Sequence, residues 1–180
     1  IMPAYSNLML LNGTEMKLPF GASLELFQEQ QLCLPNLVFK YEGETFKPGK
    51  ISFSPESVKH ISQLFMNTPY LWGGRSIFGI DCSGFVHQVY KYFNIQLPRD
   101  AYQQAELGTD IGFLAETQCG DLAYFDNKEG KITHVGILLD THTIIHASGR
   151  VRIDHIDQAG ILNKETGERT HQLRIVKRLV

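Results

Sequence analysis

The hydrophobic period changes twice along this chain of 180 residues, and that limits what it can fold into. Short apolar runs broken by turn residues fill roughly the first fifty positions. Apolar residues then recur at helical spacing from about 55 to 107, and strand-like runs return after Gly120. Helices followed by neighbouring strands, without strand–helix alternation, predict an α+β domain with helices packed on an antiparallel sheet.

The first part carries turn signals at Asn12-Gly13, Pro19-Phe20-Gly21, Glu42-Gly43 and Pro48-Gly49. Leu8–Leu11, Leu24–Phe27 and Leu37–Phe39 lie between them as expected strands. Residues 1–50 are therefore predicted to be a small β-barrel, and residues 51–180 a second domain. Some 50 residues bury too little surface to be stable alone, so the first part is expected to lean on the second. The opening Ile1-Met2-Pro3 reads as an amino terminus already cut, which leaves the presence of a leader open.

In the second part, Ser54 and Pro55 suit the N-cap and first position of a helix whose apolar stripe is Val58, Ile61, Leu64 and Phe65, ending near Asn67. A second helix is marked by Phe85, Val86, Val89 and Phe93. A shorter one is expected from Asp100 to Leu107. Strands are expected at Leu122–Phe125, Thr133–Leu139, Ile144–Ala147, Val151–Ile156 and Leu173–Val180.

Composition narrows the function classes. A net charge of −2 gives no basic footprint for nucleic acid or an anionic membrane. No apolar run approaches the roughly 20 residues that span a bilayer. The three cysteines, Cys33, Cys82 and Cys119, do not form a disulfide framework or a CxxC zinc pair. Cys33 and Cys119 are expected to be small buried hydrophobes.

Cys82 differs. Asp81-Cys82-Ser83-Gly84 follows the loop Tyr70-Leu71-Trp72-Gly73-Gly74 and places the thiol in the first turn of the second helix. Unpaired N–H groups and the helix dipole favour an anion there, so a lowered thiol pKa and a nucleophilic thiolate are expected. Such a nucleophile needs an imidazole and a third group to orient that ring. Of seven histidines, His60, His87, His142, His155 and His171 read as solvated or core side chains. His134 and His146 lie on successive strands and can share a face.

Register decides whether they do. A two-residue loop at Thr141-His142 would pair Leu139 with Ile144 and turn His146 away. A three-residue loop over residues 140–142 would pair Leu139 with Thr143 and set His146 opposite Gly136, diagonal to His134 on one face. The second arrangement is predicted. A zinc site of Cys82, His134 and His146 is a weaker alternative, since close-spaced ligands and nearby carboxylates are missing.

The motifs Tyr70-x-Trp72-Gly73-Gly74, Asp81-Cys82-Ser83-Gly84-Phe85, Leu97-Pro98-Arg99-Asp100, Gly120-Asp121-Leu122, His134-Val135-Gly136-Ile137 and Ile145-His146-Ala147 occur in that order. Together they resemble the NlpC-type peptidoglycan endopeptidases, a papain-like cysteine peptidase family, over about residues 55–156. Residues 1–50 resemble, by turn and strand pattern, the bacterial SH3-like modules found ahead of such domains.

The resemblance implies that Cys82 is the nucleophile, His134 the base and His146 its orienting partner, with no metal or organic cofactor. It implies cleavage of a peptidoglycan stem peptide between D-glutamate, through its γ-carboxyl, and a diamino acid. Tyr70, Trp72, Asp81 and Ser83 map to the cleft. Asp100 maps to a carboxylate that receives a free amino-terminal L-alanine in some relatives, and equally suits a helix cap. Arg75 and Arg99 read as structural or solvated. The resemblance places such a protein in the bacterial envelope or outside the cell, with cytoplasmic recycling as the other setting. N-acetylmuramoyl-L-alanine amidase or transpeptidase chemistry at the same site, and a non-catalytic wall-binding module, remain as alternatives.

Overall fold

A computed structural model describes residues 5–9, 14–45 and 47–180. The chain divides into two compact units, residues 1–47 and 48–180. The expected turn at Asn12-Gly13 and the residues Ile1-Met2-Pro3, Leu10 and Leu11 lie outside the described residues.

The first unit is an antiparallel sheet of β1 (Tyr5–Met9), β2 (Glu15–Pro19), β3 (Gln31–Leu34) and β4 (Leu37–Tyr41), in the order β2-β1-β4-β3. The expected strand at Leu24–Phe27 is instead a turn, closed by the Phe27 N–H on the Leu24 carbonyl at 2.9 Å. Just after it, Glu29 and Gln30 both take positive φ, 47° and 66°, between the bridged residues Gln28 and Gln31. The chain reverses there, so no strand can run through. Alternation along β3 turns Leu32 and its partner Phe39 inward, which leaves Cys33 exposed and corrects its expected burial.

The second unit begins with α1 (Pro55–Gln63), whose N-cap Ser54 accepts a hydrogen bond from the Ser57 N–H at 3.3 Å. Val58, Ile61 and Phe65 are buried. The helix proper stops at Gln63, and the chain turns through Asn67, at φ 64°. The short ribbon β5 (Arg75–Ser76) and β6 (Gly79–Ile80) leads into α2 (Cys82–Tyr92). Then come α3 (Ala101–Gln104) and the strands β7 (Thr109–Ile111), β8 (Leu122–Asp126), β9 (Ile132–Leu138), β10 (Thr143–Ser148), β11 (Arg150–Asp157), β12 (Gly160–Leu162) and β13 (Arg169–Arg178).

These strands form one antiparallel sheet in the order β12-β11-β10-β9-β8-β13-β7, and β12 also pairs with β13. Six strands therefore close on themselves. Residues directly opposite across a ladder share a face. Following the registers from Ala123 and Phe125 through Gly136, Leu138, Ile144, Ile156 and Ile161 traces a single interior, in which Ala123, Phe125, Leu138, Ile144, Ile156, Ile161 and Val176 form one buried cluster. The same parity carries His134, His146, Arg152, Asp154 and His171. Helix α2 packs against β9 and β10. Among the described residues, no helix is long and apolar enough to cross a membrane.

Candidate active site

Asp81 builds the loop that presents Cys82. As N-cap of α2 it accepts from the Gly84 N–H at 2.7 Å and from the Gly73 N–H at 2.8 Å. Arg99 binds the same carboxylate with two nitrogens, and its Nη1 also donates to Ser83 Oγ at 2.9 Å. Arg99 is therefore structural. Gln104 joins α3 to this assembly through Nε2, which donates to the Ser83 and Pro98 carbonyls at 3.2 and 2.8 Å. A Cβ at residue 84 would lie 2.4 Å from the Gly74 carbonyl oxygen, so only glycine lets loop and helix approach this closely.

The Cys82 thiol is delivered to the edge of β9. Its Sγ lies 4.0 Å from the Thr133 carbonyl oxygen and receives the Val135 N–H, so it sits against the backbone on either side of His134. This is beyond the last pairing of β9 with β10, His146 opposite Gly136, where the edge of β9 is open.

The hairpin has the predicted register. Leu139 N–H bonds the Thr143 carbonyl at 2.9 Å, which leaves a three-residue loop. Asp140 fixes its length: Oδ1 accepts from the N–H groups of His142 and Thr143, each at 2.8 Å. His146 then stands opposite Gly136 on the face of His134, and His134 Nε2 meets His146 Nδ1 at 2.8 Å. A Cβ at residue 136 would come within 2.9 Å of His146 Cβ, so this glycine makes room for the pair.

Two partners escaped the sequence reading. Asp154, on β11, faces His146 Nε2 with Oδ2 at 3.0 Å and is almost wholly buried. Burial alone would raise its carboxyl, but bonds from His146, the Lys164 N–H and Arg152 outweigh that and hold it well below the usual carboxylate range. His171, on β13, stacks on His134 with ring centroids 4.0 Å apart and planes 25° from parallel. The signal for Asp154 was its two-residue spacing from buried Ile156, which puts both on one face. His171 gave none, because its place depends on the irregular β12–β13 pairing.

The expected low thiol pKa is corrected by burial. Desolvation pushes Cys82 above its ordinary value and the Asp81 carboxylate pushes the same way, against the N–H groups of Val135, Ser83 and Cys82. The helix start supplies the donors, but they do not win. Burial, then His146 and His171, hold His134 well below the ordinary histidine value. Both shifts favour the uncharged forms, a thiol beside a neutral imidazole.

The other singled-out residues separate. Tyr70 is half-buried, its phenol raised first by burial and then by Cys82 and Asp81, so it belongs to the same locality. Trp72 is 85% exposed. Asp100 is the N-cap of α3, with its N–H on Gln103 Oε1 at 3.4 Å. Cys119 is half-buried, its Sγ 3.6 Å from the Pro55 carbonyl.

His134, His146 and His171 bring one ring nitrogen each within 4.8 Å of the others. A metal bonds in the plane of each imidazole, at about 2.0–2.1 Å for zinc. The stacked planes of His134 and His171 cannot aim at one such point, so the cluster fits hydrogen bonding and stacking instead.

The NlpC/P60 family profile matches residues 67–170, a span that contains Cys82, both hairpin histidines and Asp154. This chain belongs to the NlpC/P60 family. It is 34% identical over 131 residues to a probable endopeptidase of Haemophilus influenzae, covering 72% of this chain and 79% of that one. It is 39% identical over 94 residues to a gamma-D-glutamyl-L-lysine dipeptidyl-peptidase of Bacillus subtilis, covering 51% of this chain but 31% of the relative. The match thus spans about a third of that relative's length. A crystal structure of an NlpC/P60 family protein from Bacillus cereus aligns with a TM-score of 0.72 over 99% of this chain and 61% of that one, at 22% identity, a likeness of fold. The packing of helices on an antiparallel sheet fits the papain-like core expected of the family.

Proposed function

We propose that this NlpC/P60 chain is a cysteine peptidase that hydrolyses peptidoglycan stem peptides at the γ-D-glutamyl–diamino acid bond. The observation that carries the reading is the Cys82 thiol held against the backbone of His134, whose ring is tied to His146 at 2.8 Å. The relative named for gamma-D-glutamyl-L-lysine cleavage supports the choice of bond.

The neutral resting pair sets the mechanism. His134 removes the thiol proton as Sγ attacks the γ-carbonyl, so charge develops only in the transition state. The N–H groups at the start of α2 are, in this reading, the donors to the oxyanion, each worth about 3 kcal/mol in comparable sites. The imidazolium then protonates the leaving amine, and the thioester forms. Water, deprotonated by His134, attacks the thioester, and the proton returns to the departing sulfur. No step calls for a metal or organic cofactor.

Both oxygens of Asp81 are engaged by Gly73, Gly84 and Arg99, so in this reading Asp81 and Ser83 shape the cleft wall. Tyr70 and exposed Trp72 offer the substrate phenol and indole surface, and Asp100 offers a carboxylate to an amino-terminal ammonium. In this reading the first unit is an SH3-like module that precedes the catalytic domain in the sequence.

Digestion of defined stem peptides, with and without a free L-alanine amine, followed by mass spectrometry, tests this. The expected products end at γ-D-glutamate and begin at the diamino acid, and Cys82→Ala abolishes them. A cut between muramic acid and L-alanine would make the enzyme an amidase. Equal turnover by Cys82→Ala, or no cleavage of any peptide, would remove the peptidase reading.

A further inference from the structure

The hydrogen bonds behind His134 form a ladder in which every proton position follows from the one before. Asp154 is ionised and can only accept. Its partner at 3.0 Å, His146 Nε2, must therefore carry a hydrogen. In a His146 ring with one proton, Nδ1 is then an acceptor. The atom facing it at 2.8 Å, His134 Nε2, must donate. Neutral His134 is left with its lone pair on Nδ1, the nitrogen that remains to take a proton from Cys82.

We propose that Asp154 is a positioning residue which sets the tautomer of both histidines, and so decides whether His134 can serve as a base. The proposal rests on the reading that Cys82 and His134 are the reacting pair. Asp154 is built for the task. Oδ1 accepts from the Lys164 N–H at 2.9 Å and from Arg152 Nη2 at 3.0 Å. Arg152 Nε lies 2.8 Å from Oδ2 as an ion pair without hydrogen-bond alignment. Arg152 is itself held by Glu165, with Nη1 3.0 Å from Oε2, and by Asn163, with Nη2 2.8 Å from Oδ1. The carboxylate cannot rotate without breaking these contacts.

The asparagine variant reverses the ladder for a specific reason. Two well-aligned donors point at the Oδ1 position, so the amide oxygen of Asp154→Asn belongs there and the NH2 group takes the place of Oδ2. That NH2 donates to His146 Nε2, which forces hydrogen onto His146 Nδ1. His134 Nε2 then becomes an acceptor, and its Nδ1 carries the hydrogen. His134 is no longer a base toward Cys82. The charged or titratable groups facing this ladder are Cys82, Asp81 and Tyr70 on the nucleophile side, His171 from β13, and Arg152 with Glu165 behind Asp154.

The test combines kinetics and spectroscopy on the full chain. Asp154→Asn is expected to lose about 10²–10⁴-fold in kcat on a γ-D-glutamyl–diamino acid peptide, with KM nearly unchanged. Its rate should keep climbing with pH into the range where the thiol ionises unaided, past the plateau of the wild type. A loss under threefold, or a larger loss with the wild-type pH profile, overturns the proposal. Nitrogen-15 NMR of wild-type histidines decides the matter even if the variant does not fold. Hydrogen on Nε2 of both His134 and His146 supports the ladder, and hydrogen on Nδ1 of either overturns it. This readout needs no turnover, so it stands apart from the Cys82→Ala result that would remove the peptidase reading.

Discussion

The two ends of the closed sheet's interior use the same strands and the same alternation for opposite purposes. One end is apolar: Ala123, Leu138, Ile144, Ile156, Ile161 and Val176 pack on each other and supply cohesion. The other carries His134, His146, His171, Asp154 and Arg152, whose burial is a cost that must be offset by hydrogen bonds. Strand pairing fixes where a side chain can stand, and the residue at that position decides whether the site stabilises the fold or performs chemistry.

The largest effect should separate the two ends. Leu138→Ala removes a fully buried side chain from the apolar end and is expected to cost about 2–5 kcal/mol of stability, with kcat nearly unchanged below the melting temperature. His134→Gln should do the reverse, abolishing turnover while leaving stability near neutral pH within about 1 kcal/mol of the wild type's, because a glutamine amide can still donate to His146 Nδ1. Denaturant melts and turnover measured on the same preparations check this. If both variants lose stability and activity together, the interior does not divide as described.

How far this division was legible in the sequence depends on the range of the interactions. The hairpin was legible because Asp140 closes a local loop and Gly136 clears space for His146, and both devices lie within twelve residues. The helix carrying Cys82 was legible from Asp81 and the apolar spacing after it. The proton affinity of Cys82 was not, because it depends on burial by β9, far along the chain. His171 escaped for the same reason: it reaches His134 only through closure of the sheet by β12 and β13. In the first unit, three apolar residues in Leu24–Phe27 imitate a strand, but the reversal at Glu29-Gln30 forbids one.

A residue on the border sharpens the comparison. Gly136 stands where both ends meet, and an added Cβ would lie 2.7 Å from Ile144 Cδ1 and 2.9 Å from His146 Cβ. Gly136→Ala should therefore damage both properties: about 1–3 kcal/mol of stability from overpacking, and at least a tenfold fall in kcat as His146 is displaced. Thermal melts with steady-state kinetics test this. Loss of one property alone would show that the neighbouring side chains yield in one direction only.

The smallest effect is read through pH, where the difference made by His171→Phe isolates the polar end. His134 and His171 both have lowered values in the folded state, His171 at about 4, from burial first and then from His146. The unfolded chain binds protons at these sites below about 6.5 while the fold does not. Their neutral burial is therefore neutral to stability above about 6.5, and stability falls as the pH drops from there toward the folded values. Each such histidine adds up to about 1.4 kcal/mol per pH unit to the slope. Asp154, Asp157 and the other lowered carboxylates contribute only at lower pH, as it falls through the ordinary carboxylate range, so the window from about 6.5 to 4.5 reports the histidines, including His87 on α2, whose value burial also lowers. His171→Phe keeps an aromatic ring against His134 and removes one titrating group. Its stability should fall less steeply than the wild type's across that window in urea melts, with the two curves closest near neutral pH. A slope unchanged by His171→Phe would mean that His171 takes up its proton in the folded protein as readily as in the unfolded chain. In that case the ring stacked on His134 could carry a charge in mild acid, and the polar end would be wetter than its packing against Phe125 and His146 indicates.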